Sequence, residues 1–120
     1  SARAGAWMLD EASGAVTLSW AAAVIHGTTP EAFDGSFAGF GSLIAADDRQ
    51  RVLQALRSAL GTDEPLAVEY RAVHPDGSIR WLLATATRVD GSQSGESQLW
   101  GVTVDLSKRR RAEAAARAVA

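Results

Sequence analysis

From Val68 to Val89 the apolar positions fall at alternate residues on both sides of a Pro75-Asp76-Gly77 turn. Val68, Tyr70 and Ala72 alternate with Glu69 and Arg71, and Ile79, Trp81, Leu83 and Thr85 alternate with Arg80, Leu82 and Ala84. A period of two belongs to extended strands with two distinguishable faces. Pro75 presets φ, Asp76 can bond the backbone that follows it, and Gly77 accepts positive φ, so the stretch predicts a tight hairpin. The second strand keeps apolar or small residues on both faces as far as Val89, which predicts a strand central in its sheet and covered on each side.

The same pattern organises the rest of the chain. Residues 1–5 read as a frayed lead-in. Ala6 to Asp10 predicts a strand, Glu11 to Gly14 a turn, and Ala15 to Ser19 a second strand. Ser19 can cap a short helix carrying Trp20, Val24 and Ile25, which Gly27 ends, and Thr29 can cap another with Pro30 in its first position. Phe33, Phe37, Phe40, Leu43 and Ile44 then recur at three- or four-residue steps with Gly35, Gly39 and Gly41 among them, which predicts short irregular turns. Val52, Leu53, Leu56 and Leu60 form the apolar stripe of a longer helix over 47–60, with Asp47 and Asp48 at its start and Arg49, Arg51, Gln54 and Arg57 on its polar face. A loop over Asp90 to Glu96 precedes a final strand from Leu99 to Leu106, and Ser107 can cap an exit helix.

Strands grouped at both ends of a helical middle predict an α+β fold: one antiparallel sheet with short helices and one long helix on one face. If the first strand lies beside the last, the sheet has five strands in the order 2-1-5-4-3.

Composition narrows the function. At 120 residues the chain is one domain, and 12 basic against 14 acidic residues argue against a nucleic-acid partner. The absence of cysteine excludes disulfides and thiolate metal sites. No apolar run is long enough to span a membrane and no signal-peptide pattern is present, so a cytoplasmic setting is expected. The missing initiator methionine and the helical pattern at the far end are expected of a piece of a longer protein. Neither histidine stands in a nucleophile–base relay or at metal-ligand spacing. His74, before the turn proline, is expected in solvent, and His26 at a helix C-terminus, where a partial charge suits the dipole.

Trp7, Asp10, the run Gly27-Thr28-Thr29-Pro30-Glu31-Ala32-Phe33, Asp47-Asp48-Arg49, Tyr70-Arg71, Pro75-Asp76-Gly77, Arg80-Trp81 and the run from Gly101 to Arg109 together resemble a PAS sensor domain with its C-terminal PAC motif. Two departures stand out. Ala45-Ala46 replace a customary His-Pro before the long helix, and the usual Asp-Ile-Thr exit reads Asp105-Leu106-Ser107.

The resemblance implies a core over 1–106 and the start of a signalling helix over 107–120. It implies a sensory and dimerisation module, expected as a homodimer, that performs no catalysis and feeds an effector in the same polypeptide: a kinase, phosphatase, cyclase or transcription regulator. The flavin–cysteine adduct of light-sensing relatives is excluded for want of cysteine. A cavity of the family's kind would be lined by Phe33, Phe37, Phe40, Leu43, Ile44, Leu56, Val68, Tyr70, Leu83, Thr85 and Thr103. These suit a fatty acid or similar apolar metabolite better than haem or a nucleotide, with Tyr70, Thr85 and Thr103 orienting its polar end. The alternative is a ligand-free dimerisation or adapter module in which they fill a core.

Output is expected through Asp105, Ser107, Lys108 and Arg109. Asp105 can fix the strand-to-helix junction by accepting from the amides that follow. Lys108 to Arg111 place four cations where the helix dipole opposes them by ~0.3–1 kcal/mol each, so local stability does not explain the cluster.

Overall fold

The computed structural model describes residues 3–90 and 96–119. Its elements are β1 (Ala4–Asp10), β2 (Val16–Leu18), α1 (Trp20–Ile25), α2 (Phe37–Ser42), α3 (Ala46–Ala59), β3 (Leu66–Val73), β4 (Ile79–Asp90), β5 (Ser97–Asp105) and α4 (Ser107–Val119). The strands form one antiparallel sheet in the order β2-β1-β5-β4-β3. The expected α+β architecture and strand order are both present. Of the loop expected between β4 and β5, residues 91–95 lie outside the described residues.

Register decides which side chains share a face. Tyr70 pairs with Leu82, Ala84 with Thr103, Gly101 with Trp7, and Leu9 with both Leu99 and Val16. These residues, with Val68, Ala72, Ala86 and Leu18, make the inner face, on which α1, α2 and α3 complete the core. The hairpin closes where His74 N–H donates to Ser78 O and Gly77, at φ +86°, turns the chain. That closure pairs Val73 with Ile79 and sets even-numbered residues of β4 opposite even-numbered ones of β3.

The helical layer sits close because small residues let it. Gly5, expected in a frayed lead-in, belongs to β1, and a Cβ there would lie 2.1 Å from Ala22 N of α1. Ser19 ties the same two elements: its Oγ caps α1 by accepting from Ala22 N and also accepts from Ala6 N. The helix expected after Thr29 is a single turn, in which Phe33 N–H donates to Thr29 O and Ala32 N–H to Thr29 Oγ1. Ser36 instead caps α2 by accepting from Gly39 N. α3 starts at Ala46 after an N-cap, Ala45, that offers no side-chain cap, in keeping with the Ala45-Ala46 departure.

The expectation that β4 is covered on both faces holds for the inner one alone. On the outer face Trp100 is 54% and Val102 42% exposed, and α4 is anchored only at the Trp81 end of β4. Both sheet edges are partly occupied. Along β3, Ala45 N–H donates to Arg71 O, Val73 N–H to Leu43 O and Arg71 N–H to Asp48 Oδ2. β2 is three residues long, and its Val16 N–H donates to Gly35 O.

Candidate functional site

The centre of the inner face is polar. His26 follows the last turn of α1 and is fully buried, edge-on to Phe40 and stacked near Tyr70. Its Nδ1 lies 2.8 Å from Ala22 O and its Nε2 2.7 Å from the Tyr70 hydroxyl. A carbonyl can only accept, so Nδ1 carries the proton, Nε2 keeps its lone pair, and Tyr70 donates to it. Burial pushes the His26 pKa down from 6.5 to about 4, against the Ala22 carbonyl, which favours the cation, and with the charge of His74 adding to the fall. The expected dipole-assisted cation is therefore a neutral core residue, because six residues of helix bring its ring inward rather than to the surface. Burial likewise pushes the Tyr70 hydroxyl well above its ordinary value, and the Thr103 hydroxyl opposes that rise.

Two buried polar atoms on this face make no well-formed hydrogen bond among the described residues: Trp7 Nε1, and Thr103 Oγ1, which stands near the Tyr70 hydroxyl without bonding it in good geometry. The Trp7 ring lies over Gly101, where a Cβ would stand 2.5 Å from its Cε2, and Thr103 is the next inner-face residue along β5. A buried orphan of this kind costs about 1–3 kcal/mol unless a further group satisfies it.

Of the eleven expected lining residues, nine gather here. Phe40, Ile44, Leu56, Val68, Tyr70 and Thr103 are buried, and Phe33, Phe37 and Leu43 pack against them half-buried. Leu83 and Thr85 do not join them: they pair with Glu69 and Ala67 on the outer face. The hairpin register places Leu82 and Ala84 inward instead, and the alternation of β4 alone does not reveal which set faces the helices. His26 and Trp7 are additions. The sequence signal for His26 was its position four residues after Ala22 on the buried side of α1.

A second cluster joins α3 to α4 across the sheet. Arg71 donates to Asp48 from its guanidinium Nε and Nη2, at 2.9 and 2.8 Å, while its backbone N–H donates to Asp48 Oδ2. That contact with Arg71 is the chief reason the Asp48 carboxyl is held down to about 2, against the burial that opposes it. The Arg71 guanidinium lies 5.5 Å and that of Arg110 3.8 Å from the centre of the Trp81 ring, and Arg110 also reaches Glu69 at 3.3 Å. The Trp81 backbone holds the start of α4: Leu106 N–H donates to Trp81 O at 2.7 Å, and Trp81 N–H to Ser107 Oγ at 3.0 Å. Asp105 Oδ1 accepts from Ser107 N at 2.8 Å. Ser107, expected as the cap, is the first residue of α4 with its hydroxyl turned to β4, and Asp105 closes the helix start. Lys108 and Arg109 are exposed on the other side of α4, where Arg109 pairs with Glu113. His74, expected in solvent, is half-buried with Nε2 donating to Ile25 O.

A family model for the PAS fold matches residues 16–103. The chain belongs to the PAS family. Its match to the blue-light-activated histidine kinase of Brucella ovis is 34% identical over 117 residues and covers 94% of this chain but 22% of that protein, so the chain spans about a fifth of the curated relatives it matches. Among solved structures, the sensory box histidine kinase/response regulator from Burkholderia thailandensis superposes with a TM-score of 0.73 at 29% identity, covering 98% of this PAS chain and 88% of that one. The N-terminal domain of a diguanylate cyclase with PAS/PAC sensor from Marinobacter aquaeolei shares the fold, with a TM-score of 0.76 at 20% identity over 90% and 99% of the two chains. This PAS domain is thus related to PAS segments of sensory histidine kinases, and with the diguanylate cyclase domain it shares the fold. Among the described residues no helix is long and apolar enough to cross a membrane, and no cluster of acidic or histidine side chains is arranged to hold a metal ion.

Proposed function

We propose that this PAS domain is the sensory and dimerisation module of a longer signalling polypeptide. It takes up a small apolar molecule with one polar end on its inner face and passes its state through α4 to an effector such as a kinase or cyclase, performing no chemistry itself. The orphaned Trp7 Nε1 carries the reading, with Thr103 Oγ1 poorly bonded beside Tyr70, because the polar end of a fatty acid or similar metabolite would satisfy both atoms while its tail lies among Phe33, Phe37 and Phe40. The kinase names of the relatives support a fused effector, and a cytoplasmic setting and a homodimer are the natural companions of such a module. Flavin–cysteine photochemistry is excluded from the proposal because the chain has no cysteine, and the inner-face polar atoms named here do not suggest a haem ligand.

Native mass spectrometry of gently purified protein tests the reading. One co-purifying small molecule, lost in Thr103→Val, is the expected result. The bare polypeptide mass would favour the second reading, a ligand-free adapter, which the close packing of Ile44, Leu56, Val68 and Tyr70 supports. Cutting the chain before Ser107 should leave ligand uptake intact and abolish control of the effector; control that survives the cut would reject a relay through α4.

A further inference from the structure

Three of the four cations crowded into the start of α4 have a common setting. Lys108, Arg109 and Arg111 line a cleft of about 510 Å³ with Arg3, which leads into β1, and Arg80 of β4. Residues 3, 80 and 108–111 are distant in sequence, and the sheet brings them together because the start of β1, the start of β4 and the end of β5 lie at one end of it. The fourth cation, Arg110, turns away to Trp81 and Glu69. Among the described residues Arg3, Arg80, Lys108 and Arg111 form no ion pair, and Arg109 alone has one, with Glu113. One carboxylate lines the cleft, Asp105, and it already accepts from Ser107 N. A chain of net charge −2 therefore concentrates five cations on one concavity.

Like charges held together and facing the positive end of a helix repel one another, and a bound polyanion reverses the sign of that interaction. Guanidinium forks match phosphate oxygens two at a time, and the space is that of a small molecule rather than of a protein loop. Val24 and Ile25 of α1 and Ala112 of α4 give the cleft an apolar wall beside the cations. We propose that this cleft binds a small phosphate-bearing molecule of nucleotide size, and that the bound phosphate bridges Arg3 and Arg80 on the sheet to Lys108 and Arg111 on α4. The site is separate from the inner face and goes beyond the ligand proposed there. It acts on the same exit helix as a second input, fastening the first turns of α4 to the sheet.

The test is an NMR titration of the 120-residue protein with inorganic pyrophosphate and, in a second arm, with adenosine triphosphate free of magnesium, both at about 0.1 M salt, where exposed charges are already screened. Saturable shifts confined to Arg3, Arg80 and the first two turns of α4 are expected, with slower amide exchange in those turns. Arg80→Gln with Arg111→Gln should weaken binding about tenfold or more, while Arg57→Gln on α3 leaves it unchanged. Equal affinity for the two probes assigns recognition to the phosphates alone, and tighter nucleotide binding adds the Val24, Ile25 and Ala112 wall; both support the site. Absence of saturable binding, shifts scattered over the surface, or an unaffected double variant overturns it. So does binding of a polyglutamate peptide when neither phosphate probe binds, which would make the cleft an acidic-protein surface.

Discussion

Tyr70 donates its hydroxyl hydrogen to Nε2 of His26 across 2.7 Å, and His26 passes its own Nδ1 hydrogen to Ala22 O. The middle of β3 and the last turn of α1 are thereby joined through a neutral imidazole.

That imidazole makes stability depend on pH in a defined window. His26 titrates near 6.5 when unfolded and at about 4 when folded, so between those values the unfolded chain binds the extra proton. The contribution is complete above pH 6.5, is lost as pH falls from 6.5 to 4, and changes no further below that. It amounts to on the order of 3 kcal/mol. Urea unfolding at a series of pH values should show this slope, and His26→Asn should flatten it.

Removing one hydroxyl should have unequal consequences at two neighbouring positions. Tyr70→Phe leaves the buried Nε2 lone pair of His26 unmet and should cost about 1–3 kcal/mol. Thr103→Val removes a hydroxyl that makes no well-formed bond, so in ligand-free protein it should be close to neutral. A loss of stability in ligand-free Thr103→Val would mean the hydroxyl has a partner. Thermal unfolding of both variants decides it.

Asp48 should behave as an anchor between α3 and β3. Asp48→Asn keeps the shape but loses the charge on which the Arg71 guanidinium rests, and solvent reaches this edge of the sheet, so a cost of about 1–2 kcal/mol is expected at neutral pH. The native carboxylate is depressed from 3.8 to about 2. Its contribution is therefore present above pH 3.8 and disappears as pH falls through 2, below the His26 window. Acid unfolding should show the two steps separately, with the lower one absent from Asp48→Asn.

Trp81 is the point at which α4 meets the sheet. Trp81→Ala removes the ring beneath Arg110 but keeps the backbone bonds to Leu106 and Ser107, so the fold should survive while the first turns of α4 open more often. Hydrogen exchange there should quicken several-fold, consistent with about 0.5–1 kcal/mol for a partly exposed cation–π contact. Unchanged exchange would place the hold on α4 in the backbone bonds alone.

Much of the fold was legible because local chemistry pointed one way: Ser19 as a cap, Pro75-Asp76-Gly77 as a turn, the leucine stripe of α3 as a buried face. Facing was harder. A strand with apolar or small residues on both sides does not say which set is inside, and only the closure at His74 and Ser78 turned Leu82 and Ala84 inward and Leu83 and Thr85 outward. Thr29 reads as a helix cap, but Gly27 at φ +83° and Gly35 at φ +79° bracket the stretch after it and leave room for one turn, and the cap of α2 is Ser36. Asp48 was legible as a helix-start acid but not as Arg71's partner, since that pairing spans 23 residues and depends on how α3 approaches the edge of β3.

The fastened edges of the sheet limit how another chain can meet it. With Arg71 and Val73 already paired to Ala45, Asp48 and Leu43, Glu69 O held by Arg51, and β2 only three residues long, an incoming strand would find only the short stretch of β3 over 66–69 along which to zip. Broader surfaces for association lie across Trp100 and Val102 and lengthwise along α4. The same partial obstruction shortens the edge open to the stacking of strands that leads to fibrils.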